Sequence, residues 1–207
     1  AVQGVGKGLK KLIMNERVDF VTVSSHKFHG PRGIGFMYKR RGRKLAPLID
    51  GGGQEKGLRS GTENLPAIAA MAKALRLVLT DEPAKVAKQM KIKQYLYDHL
   101  VKYPKVTIFS GLGADFAPHI LCLAIEGVRG ETIVHAFEAH QIYISTTSAC
   151  SSKKHVIAGT LRAMKVPERL ATSAVRISLD EGNTLAEAEE FMTVFDQVYQ
   201  RFEKINS

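Results

Sequence analysis

No apolar run in this chain is long enough to cross a bilayer, so no membrane-spanning helix is expected. Cysteine is nearly absent: two among 207 residues, with no secretion signal, exclude a disulfide framework and point to a reducing, cytoplasmic setting. The seven histidines never fall at ligand spacing with cysteine. No metal site is therefore expected, and His119, His135 and His140 read as structural or surface residues. Internal repeats and low-complexity segments are also missing. Acidic residues are outnumbered, 20 against 30 basic, for a formal net charge of +10. The excess is dispersed, and the one dense basic run, Tyr38 to Lys44, carries a single aromatic residue and no nucleic-acid module. Direct nucleic-acid binding is not expected, and the run reads as a solvated turn or a contact surface for an acidic partner.

With 44% apolar and 24% charged residues, the chain can bury a sizeable core and is not disordered by composition. Val18 to Lys39 reads as strand, loop, strand: a β-branched run, a glycine-proline turn, and "GIGFMYKR". Asn64 to Leu79 has helical spacing, with Asn64 as cap and Pro66 in the first turn. "TDEPAK" then breaks the pattern. Helices follow at Val86–Val101, Glu131–His140, about His155–Met164 and Thr184–Phe202. Strands are expected at Val106–Phe109, His119–Ile125, Ile142–Ile144 and "AVRISL". Mixed helices and strands make the second part a smaller α/β unit.

Several residues carry chemistry on their own terms. Lys27 sits at a strand end between "SSH" and "GPRGIG". A lone strand-end lysine is usually unremarkable, but an imine-forming amine needs partial desolvation and a backbone that holds it still, and this context supplies both. Cys122 lies in the apolar "HILCLAIEG" and reads as an inert buried thiol; Cys150 lies among small polar residues, where a thiol is accessible. Arg176 reads either as a carboxylate-binding fork or as a strand arginine paired with a glutamate. "GVGKG" and "GGGQEKG" lack the Gly-Lys-Ser/Thr ending of a P-loop.

Four motifs in order, "SSHKFHGPRGIGFMY", "GGGQEKGLRSGT", "TTSACSS" and "AVRISL", closely resemble those of the cysteine desulfurases, pyridoxal-phosphate enzymes of the class V aminotransferase group. The resemblance implies that Lys27 holds pyridoxal 5'-phosphate covalently, that Ser24 and His26 bind its phosphate, and that Gln3 contacts the phenolic oxygen of its ring. It also implies that Thr62 reaches the phosphate of a partner subunit's cofactor in a homodimer. Arg176 then grips the substrate carboxylate, and Cys150 takes up sulfur as a persulfide. Thr147 and Asp180 depart from the pattern, since the family often has glycine at both. The family's ring-pairing aspartate and ring-stacking histidine lie upstream of the residue matching Ala1, and we expect the chain to be the C-terminal part of a longer protein.

The fold expected from the resemblance is α/β. Residues 1–80 close the large domain of a fold-type-I pyridoxal-phosphate enzyme, and residues 81–207 form a small α/β domain carrying the cysteine loop. The expected reaction removes sulfur from L-cysteine, giving L-alanine and an enzyme persulfide for an iron–sulfur scaffold or a tRNA-thiolating enzyme. A selenocysteine lyase or another class V aminotransferase uses the same lysine. A fragment that only folds and dimerises is the reading from outside enzymes.

Overall fold

Val21 and Val23 alternate with exposed Phe20 and Thr22 along Phe20–Ser24, strand β1 of the computed structural model, which describes residues 3–10, 14–147 and 159–206. This period-two burial is what a half-buried strand requires. β1 pairs antiparallel with β2, Gly35–Lys39, in a register that sets Ser24 opposite Gly35 and Phe20 opposite Lys39. The chain divides into two units, Ala1–Ala84 and Lys85–Ser207.

In the first unit, Val21 and Val23 pack with Phe28, Met71 and Val78. Phe28 is 1% exposed, and a ring buried to that degree contributes about 2–3 kcal/mol. Met71 and Val78 come from helix α1, Leu65–Leu79. Asn64 caps it, its side chain accepting from the Ala67 N–H at 3.2 Å, and Pro66 occupies the first turn where no N–H is needed. The basic run folds onto its own unit. Arg40 donates to the Val18 and Asn15 carbonyls, Arg40 and Arg43 both reach Asp19, and Lys39 donates to the Arg43 carbonyl, while Arg41 and Lys44 are exposed. Helix α2 spans Glu82–Leu100, starting ahead of the expected Val86 because Pro83 is tolerated in a first turn and Asp81, at φ +53°, makes the bend.

The second unit is built on a four-stranded antiparallel sheet of order β3-β4-β6-β5, comprising β3 Val106–Ile108, β4 Ile120–Ile125, β5 Ser145–Thr146 and β6 Ala174–Ser178. One face, with Leu121, Leu123, Ile125, Val175 and Ile177, is covered by α2, α3 (Gly130–Glu138) and α6 (Leu185–Asn206). Phe137 and Phe191 stack within that core, ring centroids 5.0 Å apart. The opposite face carries Ala124 and Ala174, packed with Leu161 of α4 (Gly159–Ala163) and Ala171 of α5 (Glu168–Ala171). A strand was expected at Ile142–Ile144, but the pairing falls on Ser145–Thr146. The Ile142 N–H is taken by the Phe137 carbonyl, Gln141 turns the chain at φ +59°, and both isoleucines pack on the core instead.

Lys93 is the unexpected core residue. Fully buried in α2, it donates from Nζ to the carbonyls of Gly111 at 2.7 Å and Ala117 at 3.0 Å, with the Phe116 ring centroid 5.9 Å away. Burial lowers its pKa, and the paired carbonyls hold the ammonium against that cost. In the same unit, Thr184 and Glu187 exchange bonds, Thr184 N–H to Glu187 Oε2 at 2.6 Å and Glu187 N–H to Thr184 Oγ1 at 3.2 Å, a capping box that opens α6.

Candidate active site

The 3-10 turn Ser25–Phe28 follows directly from β1 and presents Lys27. Three backbone constraints hold it. Ser25 N–H donates to the Ile34 carbonyl at 3.0 Å, Gly30 N–H donates to the Ser25 carbonyl at 3.0 Å, and His29 closes the turn in the left-handed region at φ +66°. Ser25 is fully buried against Gly30, where a Cβ would overlap Ser25 Oγ; that hydroxyl has no hydrogen-bond partner among the described residues. Phe28 points into the core, so His26 and Lys27 face outward beside the half-buried Ser24. None of these three side chains is tied up by a hydrogen bond or ion pair with a described residue.

This donor set fits pyridoxal phosphate. A hydroxyl and an imidazole suit a dianionic phosphate, and an amine without an ion-pair partner is available to a carbonyl. The turn brings Ser24, His26 and Lys27 together; Gln3 and Thr62 belong to other segments of the same unit. Gln3 is exposed in the turn segment 3–8, whose Val5 packs on the cluster holding Phe28. Gly6, at φ +71°, lies so close to Val78 that a Cβ would come within 2.5 Å of its Cγ2. Thr62 is exposed after the loop Gly51–Gly61, which bonds to itself: Gly61 N–H to Gln54 Oε1 at 3.1 Å and Gly57 N–H to the Gly53 carbonyl at 2.9 Å.

In the second unit Arg176 lies half-buried on β6, directly opposite Cys122 of β4 and Ser145 of β5. Direct partners in antiparallel strands share a face, so the three side chains form a row. The pairing of Arg176 with a glutamate, one of its two sequence readings, is not found among the described residues; its Nε donates to Ser178 Oγ at 3.3 Å. Cys122 has its thiol pushed up to about 11 by burial, with the Arg176 guanidinium pulling the other way. A neutral thiol is a poor nucleophile. Cys150 lies outside the described residues, as do Lys153 and Lys154. Among the described residues there is no cluster of three or more metal-ligating side chains and no helix long and apolar enough to cross a membrane. Sequence reasoning passed over Ser25, Ser145 and Ser178. The only signal for Ser178 was its spacing two residues from Arg176, which puts both on one side of a strand.

Residues 1–191 match the class-V aminotransferase family, and the chain belongs to it. It is 62% identical over 205 residues to a NifS/IcsS protein homolog of Lactobacillus delbrueckii subsp. bulgaricus, covering 99% of this chain and 53% of that protein. It is 34% identical over 207 residues to a cysteine desulfurase of Cereibacter sphaeroides, covering 100% and 52%. Among solved structures, a NifS-like protein superposes with a TM-score of 0.80 at 35% identity, covering 97% of this chain and 51% of that one. A NifS-like protein from Rickettsia africae gives 0.81 at 33%, covering 96% and 52%. The mixed α/β fold is that of the NifS-like proteins, and the chain spans about half the length of the curated relatives it matches.

Proposed function

We propose that this chain carries the lysine and the sulfur-accepting cysteine of a pyridoxal-phosphate-dependent cysteine desulfurase. The observation that carries the reading is the turn at Lys27, where one rigid segment presents a hydroxyl, an imidazole and an amine with no ion-pair partner among the described residues. Likeness to proteins named cysteine desulfurase supports it. Ser24 and His26 would hold the cofactor phosphate, Lys27 its carbonyl carbon, and Gln3 the phenolic oxygen. We assign residues 1–80 to the close of the cofactor domain and 81–207 to the small domain.

When bound, the cofactor supplies an electron sink for carbanion chemistry at the substrate α-carbon. Arg176 binds the substrate carboxylate, and Lys27 Nζ carries protons off and back onto substrate carbon. Cys150 thiolate takes the sulfur: the substrate C–S bond breaks, an S–S bond forms on Cys150, and a proton replaces sulfur on carbon. L-cysteine and the enzyme thiol thus become L-alanine and the enzyme persulfide. Thr62 serves the cofactor phosphate of a second subunit in a homodimer. The acceptor is an iron–sulfur scaffold or a tRNA-thiolating protein in a cytoplasmic setting.

The test uses protein loaded with pyridoxal phosphate. Lys27→Ala should lose the visible absorbance that borohydride bleaches, and mass spectrometry after L-cysteine should place one added sulfur on Cys150. A reducible linkage surviving in Lys27→Ala, or sulfur found on Cys122, overturns the assignment.

A further inference from the structure

Arg176 stands on the sheet as a half-buried cation with small neutral neighbours across both strands, Cys122 and Ser145. A guanidinium has five N–H donors, and a long flexible stem lets it point many ways unless something holds it. Ser178 sits two residues along the same strand, on the same side, and accepts the Nε–H. That bond uses the donor nearest the stem. The four N–H groups on the two Nη atoms are left, and two of them run parallel at the end of the fork, the arrangement that meets a carboxylate with two bonds.

We propose that Ser178 is a positioning residue for the substrate carboxylate: its Oγ holds Arg176 Nε, so that the guanidinium offers its Nη edge end-on. This role rests on the carboxylate-binding reading of Arg176 given above. It assigns a function to an exposed hydroxyl. It also closes the alternative side-on approach through Nε, which Ser178 occupies.

The experiment is a spectral titration of the cofactor-loaded protein with L-alanine, which has the carboxylate, and with ethylamine, which does not. Ser178→Ala should raise the Kd for L-alanine roughly tenfold, the scale of one lost bond to a charged group, while leaving ethylamine unchanged. Ser178→Cys, close in volume but a weak acceptor, should behave like alanine, and Ser178→Thr, which keeps the hydroxyl, should bind like the parent. If Arg176→Ala weakens L-alanine and neither hydroxyl deletion does, the positioning role is overturned and the reading of Arg176 survives. An equal loss for both ligands in Ser178→Ala makes the effect merely structural and also overturns the role. If Arg176→Ala leaves L-alanine binding unchanged, the carboxylate reading itself falls and takes this role with it.

Discussion

Cys122 shows how far environment decides what a cysteine does. Cys122 shares a strand with buried leucines, and its neutral thiol is favoured by lost hydration more than its thiolate is favoured by Arg176. In a Cys150→Ser background, alkylation of Cys122 at pH 7.5 should run a few hundredfold slower than that of a free thiol with pKa about 8.5. The rate should climb with pH until about 11. The same shift links to stability. Because the folded value is raised, this contribution is fully present below the unfolded pKa and is lost as pH rises from there through the folded value. A free-thiol rate at neutral pH would show that the strand does not shield Cys122.

At the scale of elements, two short devices hold the important turns. Gly30→Ala should destabilise the fold by about 1–3 kcal/mol, since the added methyl overlaps the buried Ser25 hydroxyl and its turn has no room to expand. Adding Ser25→Gly should restore most of the loss, as read by denaturant melts; no rescue would mean the strain lies elsewhere. At the start of α6, Thr184→Ala should cost about 1 kcal/mol, the usual price of a lost N-cap. The Glu187 carboxylate is held below its ordinary range, first by the Thr184 N–H and then by the side chains of Asn183 and Thr184. That stabilisation is complete above the unfolded glutamate pKa and fades as pH falls through the lowered folded value. Melting curves of Glu187→Gln should therefore show a flatter acid limb than the parent, whereas Thr184→Ala, which keeps the N–H at 184, should change that limb little.

For the whole molecule, the proposed dimer makes each cofactor site depend on both chains. A Lys27→Ala chain mixed with a Thr62→Ala chain should regain roughly one intact site per mixed dimer, because both lesions fall in the same pocket and spare the other. Tight, borohydride-trappable cofactor at about half the parental level in purified mixed dimers would show this. Recovery of no intact site would place Thr62 in its own chain's pocket.

Short-range chemistry was written in the chain. A strand ending in Ser24, glycines and a proline after Lys27, and Asn64 three residues ahead of the N–H it caps are all read from neighbours, because their hydrogen bonds close over a few residues. The apolar setting of Cys122 was legible for the same reason. Cross-strand placement was not. That Arg176 faces Cys122 and Ser145, that pairing falls on Ser145–Thr146 rather than on the isoleucines before them, and that Lys93 reaches the carbonyls of Gly111 and Ala117 all depend on segments far apart in sequence. Register is set where a helix end consumes one N–H and a core accepts one face, and only the folded chain brings those competitors together.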